Sequence, residues 1–175
     1  MAPISSDRRR IANLTGFLAC AALMAYALYA QYALHLEPCP LCIFQRIAVI
    51  ALGVIFLIAA LHGPRRRAPI YAVLIGCAAA AGIAVAARHL WIQAQPPGTV
   101  AACGASLSYM LDILPLREVI AKVLSGSGEC AEINWRFPGK SGLSMPAWVL
   151  ASLVLLGGWG LVVNLRRVKP PGLSF

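Results

Sequence analysis

Four long apolar runs divide the chain: Ile11 to about Leu34, Ile43 to Leu61, Ile70 to about Ala87, and Pro146 to about Leu165. Only mild polar residues such as Asn13, Thr15 and Gln31 interrupt the first. A bilayer core takes about 20 helical residues, so each run is read as a membrane-spanning helix. His62-Gly63-Pro64 stops the second, since Gly and Pro end helices. The third is rich in small residues (Gly76, Ala78 to Ala81, Gly82), which let membrane helices approach closely and predict a central place in a bundle. Between the third and fourth runs lies one long segment, roughly Trp91 to Met145. Within it Leu107, Met110, Leu111, Leu114, Val119, Ile120, Val123 and Leu124 recur at spacings near three and four, with Pro115 as a break. This predicts one or two short amphipathic helices lying on the membrane surface, the alternative being a small packed loop core. The expected fold class is all-α integral membrane. It is a four-transmembrane-helix bundle, one membrane domain over residues 1–175, whose long external loop carries a short interfacial amphipathic helix.

Composition agrees with this pattern. Of 175 residues, 60% are hydrophobic and 12% charged, and the mean hydropathy of +0.76 lies far outside the range of soluble domains. A net charge of +9 invites a nucleic-acid reading, but the positions of the charges oppose it. Arg8-Arg9-Arg10, Arg65-Arg66-Arg67 and Arg166-Arg167-Lys169 each flank an apolar run and supply nine of the fifteen basic residues. Basic loops stay in the cytoplasm, so these clusters predict cytoplasmic termini and a cytoplasmic second loop. The Trp91–Met145 segment balances Asp112, Glu118, Glu129 and Glu132 against Arg117, Lys122, Arg136 and Lys140, as an external loop should. Arg8-Arg9-Arg10 followed by an apolar run also resembles a secretion signal. The run is longer than a signal core and three more spans follow, so an uncleaved first helix is expected.

The chemistry concentrates where the second run begins, at Glu37-Pro38-Cys39-Pro40-Leu41-Cys42-Ile43-Phe44-Gln45-Arg46. Pro40 suits a first helical turn, where its missing donor costs nothing. Cys42 then sits at the positive end of a helix dipole, with Arg46 one turn deeper at i+4. A thiolate there would be stabilised by both, which points to a redox dithiol at a membrane edge. A zinc half-site needs a second ligand pair, and Cys103 and Cys130 are far apart in sequence, so no metal site is expected. A purely structural bridge would close too small a ring to constrain much.

Six cysteines are present. Cys20 and Cys77 fall mid-helix, where cysteine behaves as a small apolar residue. Cys39, Cys42, Cys103 and Cys130 all fall on the external side, a disulfide-permissive compartment. Four cysteines allow three connectivities. The one taken for the resting state joins Cys39 to Cys42 and Cys103 to Cys130. Gly104 and Ser125-Gly126-Ser127-Gly128 give the loop pair the mobile surroundings that exchange with a partner requires.

The chain resembles the DsbB family, bacterial inner-membrane proteins that reoxidise the periplasmic dithiol oxidase DsbA and reduce a quinone. Pro38-Cys39-Pro40-Leu41-Cys42-Ile43-Phe44-Gln45-Arg46 matches the family's P-C-x-L-C-x-x-[EQ]-R segment. Ser127-Gly128-Glu129-Cys130-Ala131-Glu132, Trp135 and Met145-Pro146-Ala147-Trp148 extend the likeness over nearly the whole chain. Lys140-Ser141-Gly142 and the arginine-rich N-terminus are less typical of it. The resemblance implies an electron path. Reduced DsbA attacks the Cys103–Cys130 disulfide at Cys103, Cys130 attacks Cys39, and the Cys42 thiolate passes the pair to ubiquinone or menaquinone. It implies Arg46 as a donor to the quinone, the alternative being an arginine that snorkels to the headgroups. His89 could help bind or protonate the quinone, or simply be solvated, and Glu37 could move protons or face water. The implied partners are a DsbA-like dithiol protein and the lipid and quinone pool, with no nucleic acid. The implied location is the bacterial inner membrane, with the active cysteines periplasmic. Three rivals carry different expectations: a vitamin-K-epoxide-reductase-like enzyme, whose CxxC comes late in the chain; a metal-handling protein; and a non-catalytic scaffold.

Overall fold

The computed structural model describes residues 5–63, 68–96, 112–125, 128–131, 133, 135–137, 139 and 142–166, with backbone only for 122–125 and 128–129. Four helices are long and apolar enough to cross a membrane: α1 (Ser6–Tyr32), α2 (Pro40–His62), α3 (Ala68–Gln93) and α6 (Met145–Leu165). Among the described residues, α4 (Leu116–Ser125) and α5 (Gly128–Ala131) lie between α3 and α6. The long helices follow the apolar runs: α1 starts earlier, at Ser6, and ends at Tyr32, two residues short of Leu34, and α2 starts earlier, at Pro40. The largest extension is in α3, which continues past Ala87 to Gln93 and carries Arg88 and His89 as helical residues.

Local chemistry sets the ends. Ser5 caps α1, its side-chain oxygen accepting from the Arg8 amide at 3.3 Å. Cys39 is the N-cap of α2 and Pro40 its first residue, so Cys42 lies in the first turn. Gly63, at φ 51°, ends α2 in the left-handed conformation that costs glycine little. In the link from α1 to α2, His35 also takes a left-handed conformation, at φ 52°.

The bundle packs on small residues, as the third run predicts. Ala72, Ala79, Gly82 and Ala86 of α3 are all buried. A methyl group added at Gly82 would come within 2.8 Å of a Leu153 methyl. At Gly157 of α6 it would meet the Ala79 methyl at 2.7 Å, so these backbones approach too closely for any side chain. Ile50, Val54, Val73 and Leu155 point outward, as lipid-facing residues do.

At the bundle end away from the cysteines, polar groups tie the helices together. Asn13 and Asn164 are buried, and Asn164 Nδ2 donates to Asn13 Oδ1 at 3.0 Å. Arg9 donates to the Arg166 carbonyl, and Arg10 to the carbonyls of Ala60 at 3.2 Å and Leu61 at 3.0 Å. Arg8-Arg9-Arg10 and Arg166 thus share one end, while residues 65–67 and 169 lie outside the described residues.

Among the described residues between α3 and α6, one pair of short strands departs from an all-helical reading. Arg136–Phe137 (β1) pairs antiparallel with Leu143–Ser144 (β2), Arg136 opposite Ser144 and Phe137 opposite Leu143. So short a ladder has no periodicity to read in sequence, and it delivers the chain directly into α6. The amphipathic pattern falls partly on residues 107–111, outside the described residues, and partly on α4. There Val119 is fully buried against Cys39, Leu41, Ile92 and Cys130, while Leu116 remains exposed. One edge of α4 therefore covers the cysteines.

Candidate functional site

The N-terminal end of α2 and the C-terminal end of α3, with α4 and α5 laid over them, enclose three of the four cysteines singled out in the sequence. Cys39 and Cys130 are buried and Cys42 is half-buried beside them. The sulfurs of Cys39 and Cys42 are 3.3 Å apart and unbonded. Cys103 lies outside the described residues.

His89 joins these groups. It is 2% exposed, which rules out the solvated alternative. Its Nε2 is 3.1 Å from the Cys130 carbonyl oxygen and 3.8 Å from the Cys39 sulfur. A carbonyl can only accept, so Nε2 carries a proton. In neutral imidazole Nδ1 is then an acceptor, and the Gln45 amide nitrogen, 3.0 Å away, is its donor. Gln45 is 3% exposed. It occupies the [EQ] position of the segment that carries the family resemblance, but no role for it was readable there: its partner is 44 positions away, and only the packing of α2 on α3 makes the pair.

Arg46 also lines this end of the bundle, but its hydrogen bonds run toward α1. Nη1 donates to Gln31 Oε1 at 2.5 Å and Nη2 to the Ala27 carbonyl at 3.1 Å. The guanidinium has five N–H groups, so donors remain for another acceptor. Cys42, Arg46 and His89 border one cavity of about 900 Å³ between α1, α2 and the start of α6. Leu23, Met24, Val49 and Val149 give it apolar walls. Tyr26, Trp135, Phe137 and Trp148 form an aromatic rim, with neighbouring ring centroids 6.0 to 6.5 Å apart. Trp148 is fixed by its indole N–H, which donates to the Phe137 carbonyl at 3.2 Å. Glu37 also borders the cavity, on an exposed turn. A largely apolar cavity with a few convergent polar groups is the usual form of a small-molecule site. A flat ring with carbonyl oxygens fits it, the walls taking the ring and the spare guanidinium donors an oxygen.

Comparison with known proteins identifies the family. The family model "Disulfide bond formation protein DsbB" matches residues 9–163. The chain belongs to the DsbB family. Curated relatives include "Disulfide bond formation protein B" of Xanthomonas axonopodis pv. citri (strain 306), 50% identical over 155 residues, 87% of this chain and 88% of that one. The protein of the same name from Marinobacter nauticus is 48% identical over 155 residues, covering 88% and 90% of the two chains. That from Nitrosococcus oceani is 46% identical over 143 residues, covering 81% and 83%. Membership disfavours the vitamin-K-epoxide-reductase-like and scaffold alternatives, and it fits a multi-pass membrane protein of disulfide formation.

Proposed function

We propose that this protein reoxidises a DsbA-like dithiol protein by thiol–disulfide exchange and delivers the electron pair to a membrane quinone. The observation that carries the proposal is the position of Cys39. Its sulfur has Cys42 at 3.3 Å on one side, and within 4.8 Å the Cys130 sulfur and a histidine nitrogen. An exchange reaction needs an attacking thiolate and a leaving sulfur on either side of the sulfur attacked.

The steps balance as follows. A thiolate of the reduced partner attacks Cys103 of the Cys103–Cys130 disulfide, forming a mixed disulfide and freeing Cys130 as a thiolate. The partner's second thiolate resolves the mixed disulfide and leaves oxidised. Cys130 attacks Cys39 of the Cys39–Cys42 disulfide, so Cys42 leaves as a thiolate at the N-terminus of α2, where the helix dipole favours negative charge. The Cys103 thiolate then displaces Cys39 from Cys130, which restores the loop disulfide, and Cys39 and Cys42 close their own disulfide as two electrons and two protons leave for a bound quinone, ubiquinone or menaquinone. Arg46 offers its spare N–H groups to an oxygen in the cavity, and the aromatic rim excludes water from it. His89 holds the backbone of Cys130 over Cys39 through the Cys130 carbonyl, and its N–H also faces the Cys39 sulfur. Arg8, Arg9, Arg10 and Arg166 lie at the opposite end from Cys39, Cys42 and Cys130, which supports cytoplasmic termini and a periplasmic exchange site in the inner membrane.

The double variant Cys42→Ser/Cys103→Ser leaves Cys39 and Cys130 as the external thiols and tests the route. Mild oxidation should join them, giving a cross-linked peptide by mass spectrometry. If both remain alkylatable, the exchange runs by another path.

A further inference from the structure

We propose that the reduced site binds one Zn²⁺ ion through Cys39, His89 and Cys130, and that the bound ion blocks exchange. The sulfurs of Cys39 and Cys130 and a ring nitrogen of His89 lie within 4.8 Å of one another, and all three residues are buried. Zinc takes thiolate sulfur at about 2.3 Å and imidazole nitrogen at about 2.0–2.1 Å, so tetrahedral neighbours stand about 3.5–3.8 Å apart. Cys39 Sγ and His89 Nε2 are 3.8 Å apart, at the edge of that range. The fourth position is open to water; Cys42, whose sulfur is 3.3 Å from that of Cys39, is not one of the three ligands. From sequence alone a zinc site lacked a second ligand pair. The fold supplies the missing ligands from two elements, His89 on α3 and Cys130 on α5.

The groups around the His89 ring also suit a metal. With the ion on Nε2 the ring must carry its proton on Nδ1, and metal-bound histidines donate that proton to an outer partner. Gln45 is in place at 3.0 Å, and a half-turn of its amide presents oxygen instead of nitrogen. Cys39 and His89 both border the 900 Å³ cavity, which gives an ion a route to buried ligands. Binding displaces two thiol protons to solvent and the His89 N–H···O bond to Cys130, and changes no oxidation state. The site exists only when Cys39 and Cys130 are both reduced and unbridged, the state produced by full reduction. The blockade rests on the exchange route proposed above; the binding does not.

The full-length protein in detergent, fully reduced under argon, is titrated with Zn²⁺ against a chelating indicator, and with Co²⁺ as a visible probe. One ion should bind per reduced chain and none at this site in the oxidised chain. Co²⁺ should show sulfur-to-metal charge-transfer bands. X-ray absorption of the zinc form should show sulfur together with one imidazole. His89→Ala and Cys130→Ser should each weaken binding by more than about 100-fold, beyond the 10–100-fold that loss of an outer partner costs. Cys42→Ser should keep one ion per chain. An absorption spectrum without imidazole in the unmutated protein would overturn the proposal. So would a site lost in Cys42→Ser but intact in His89→Ala, which would put the ion on the CxxC pair alone. Uninhibited turnover of zinc-loaded protein with the binding intact would overturn the blockade. Failure to oxidise a dithiol partner in metal-free buffer would count against the exchange reading and leave the ion site standing.

Discussion

Replacing Gln45 with leucine, which keeps most of the volume, removes the only side-chain donor that faces His89 Nδ1 among the described residues. The lost bond is 3.0 Å long and joins side chains 3% and 2% exposed, so water does not readily replace it. A buried acceptor left without its donor costs about 1–3 kcal/mol. The ring can recover part of this by turning, which gives up its 3.1 Å bond to the Cys130 carbonyl and lets Cys130 drift from Cys39. If the whole cost falls on the exchange transition state, formation of the Cys39–Cys130 bond slows about 5- to 150-fold. The assay is a single-turnover acid quench after mixing with a reduced DsbA-like protein, with the cross-linked species read by mass spectrometry. A carboxylate in Gln45→Glu cannot donate to Nδ1, but it accepts from a ring protonated on both nitrogens, which keeps the Nε2–H···O bond to Cys130, so this variant should exchange faster than Gln45→Leu. Equal rates in Gln45→Leu and the parent would refute the reasoning. Equally slow glutamate and leucine variants would refute it too, since the effect would then be one of packing.

Arg46→Ala should slow quinone-dependent turnover by about 10- to 150-fold, the value of one charge-assisted hydrogen bond of about 1.5–3 kcal/mol, while leaving exchange with the partner intact. Arg46→Lys should be intermediate, keeping the charge without the planar fork, and unchanged turnover in the alanine variant would make this arginine an anchor to α1 alone. Asn13→Leu should lower stability in detergent by about 0.6–2 kcal/mol, as for hydrogen bonds between membrane helices, and Asn13→Leu/Asn164→Leu should recover part of it because no amide is then left unpaired. A greater loss in the double variant than the sum of the single ones would contradict that. Reporter fusions should place residues 97–111 outside and both termini inside; the reverse would overturn the orientation.

The bundle was legible because a spanning helix writes itself as some twenty apolar residues, and the small residues of the third run announced its close packing. The start of α2 was legible too: Pro40 after Cys39 is a local signal, and it puts Cys42 in the first turn as expected. What sequence could not show is tertiary. His89 reads as a polar residue ending an apolar run, yet α3 continues through it and the cysteines bury it. Arg46 has the i+4 register with Cys42, but a long side chain can leave its register, and this one hydrogen-bonds to α1. Val119 belongs to an amphipathic pattern that a membrane surface would equally explain; only the fold shows it covering Cys39 and Cys130.

The most direct test of the account is quinone reduction by the purified protein, supplied anaerobically with a reduced DsbA-like dithiol and followed by quinone absorbance. One quinone should be consumed for each disulfide formed in the partner, and Cys39→Ser, Cys42→Ser, Cys103→Ser and Cys130→Ser should each abolish this coupled turnover. Partner oxidation without quinone consumption, or coupled turnover that survives in Cys130→Ser, would contradict it.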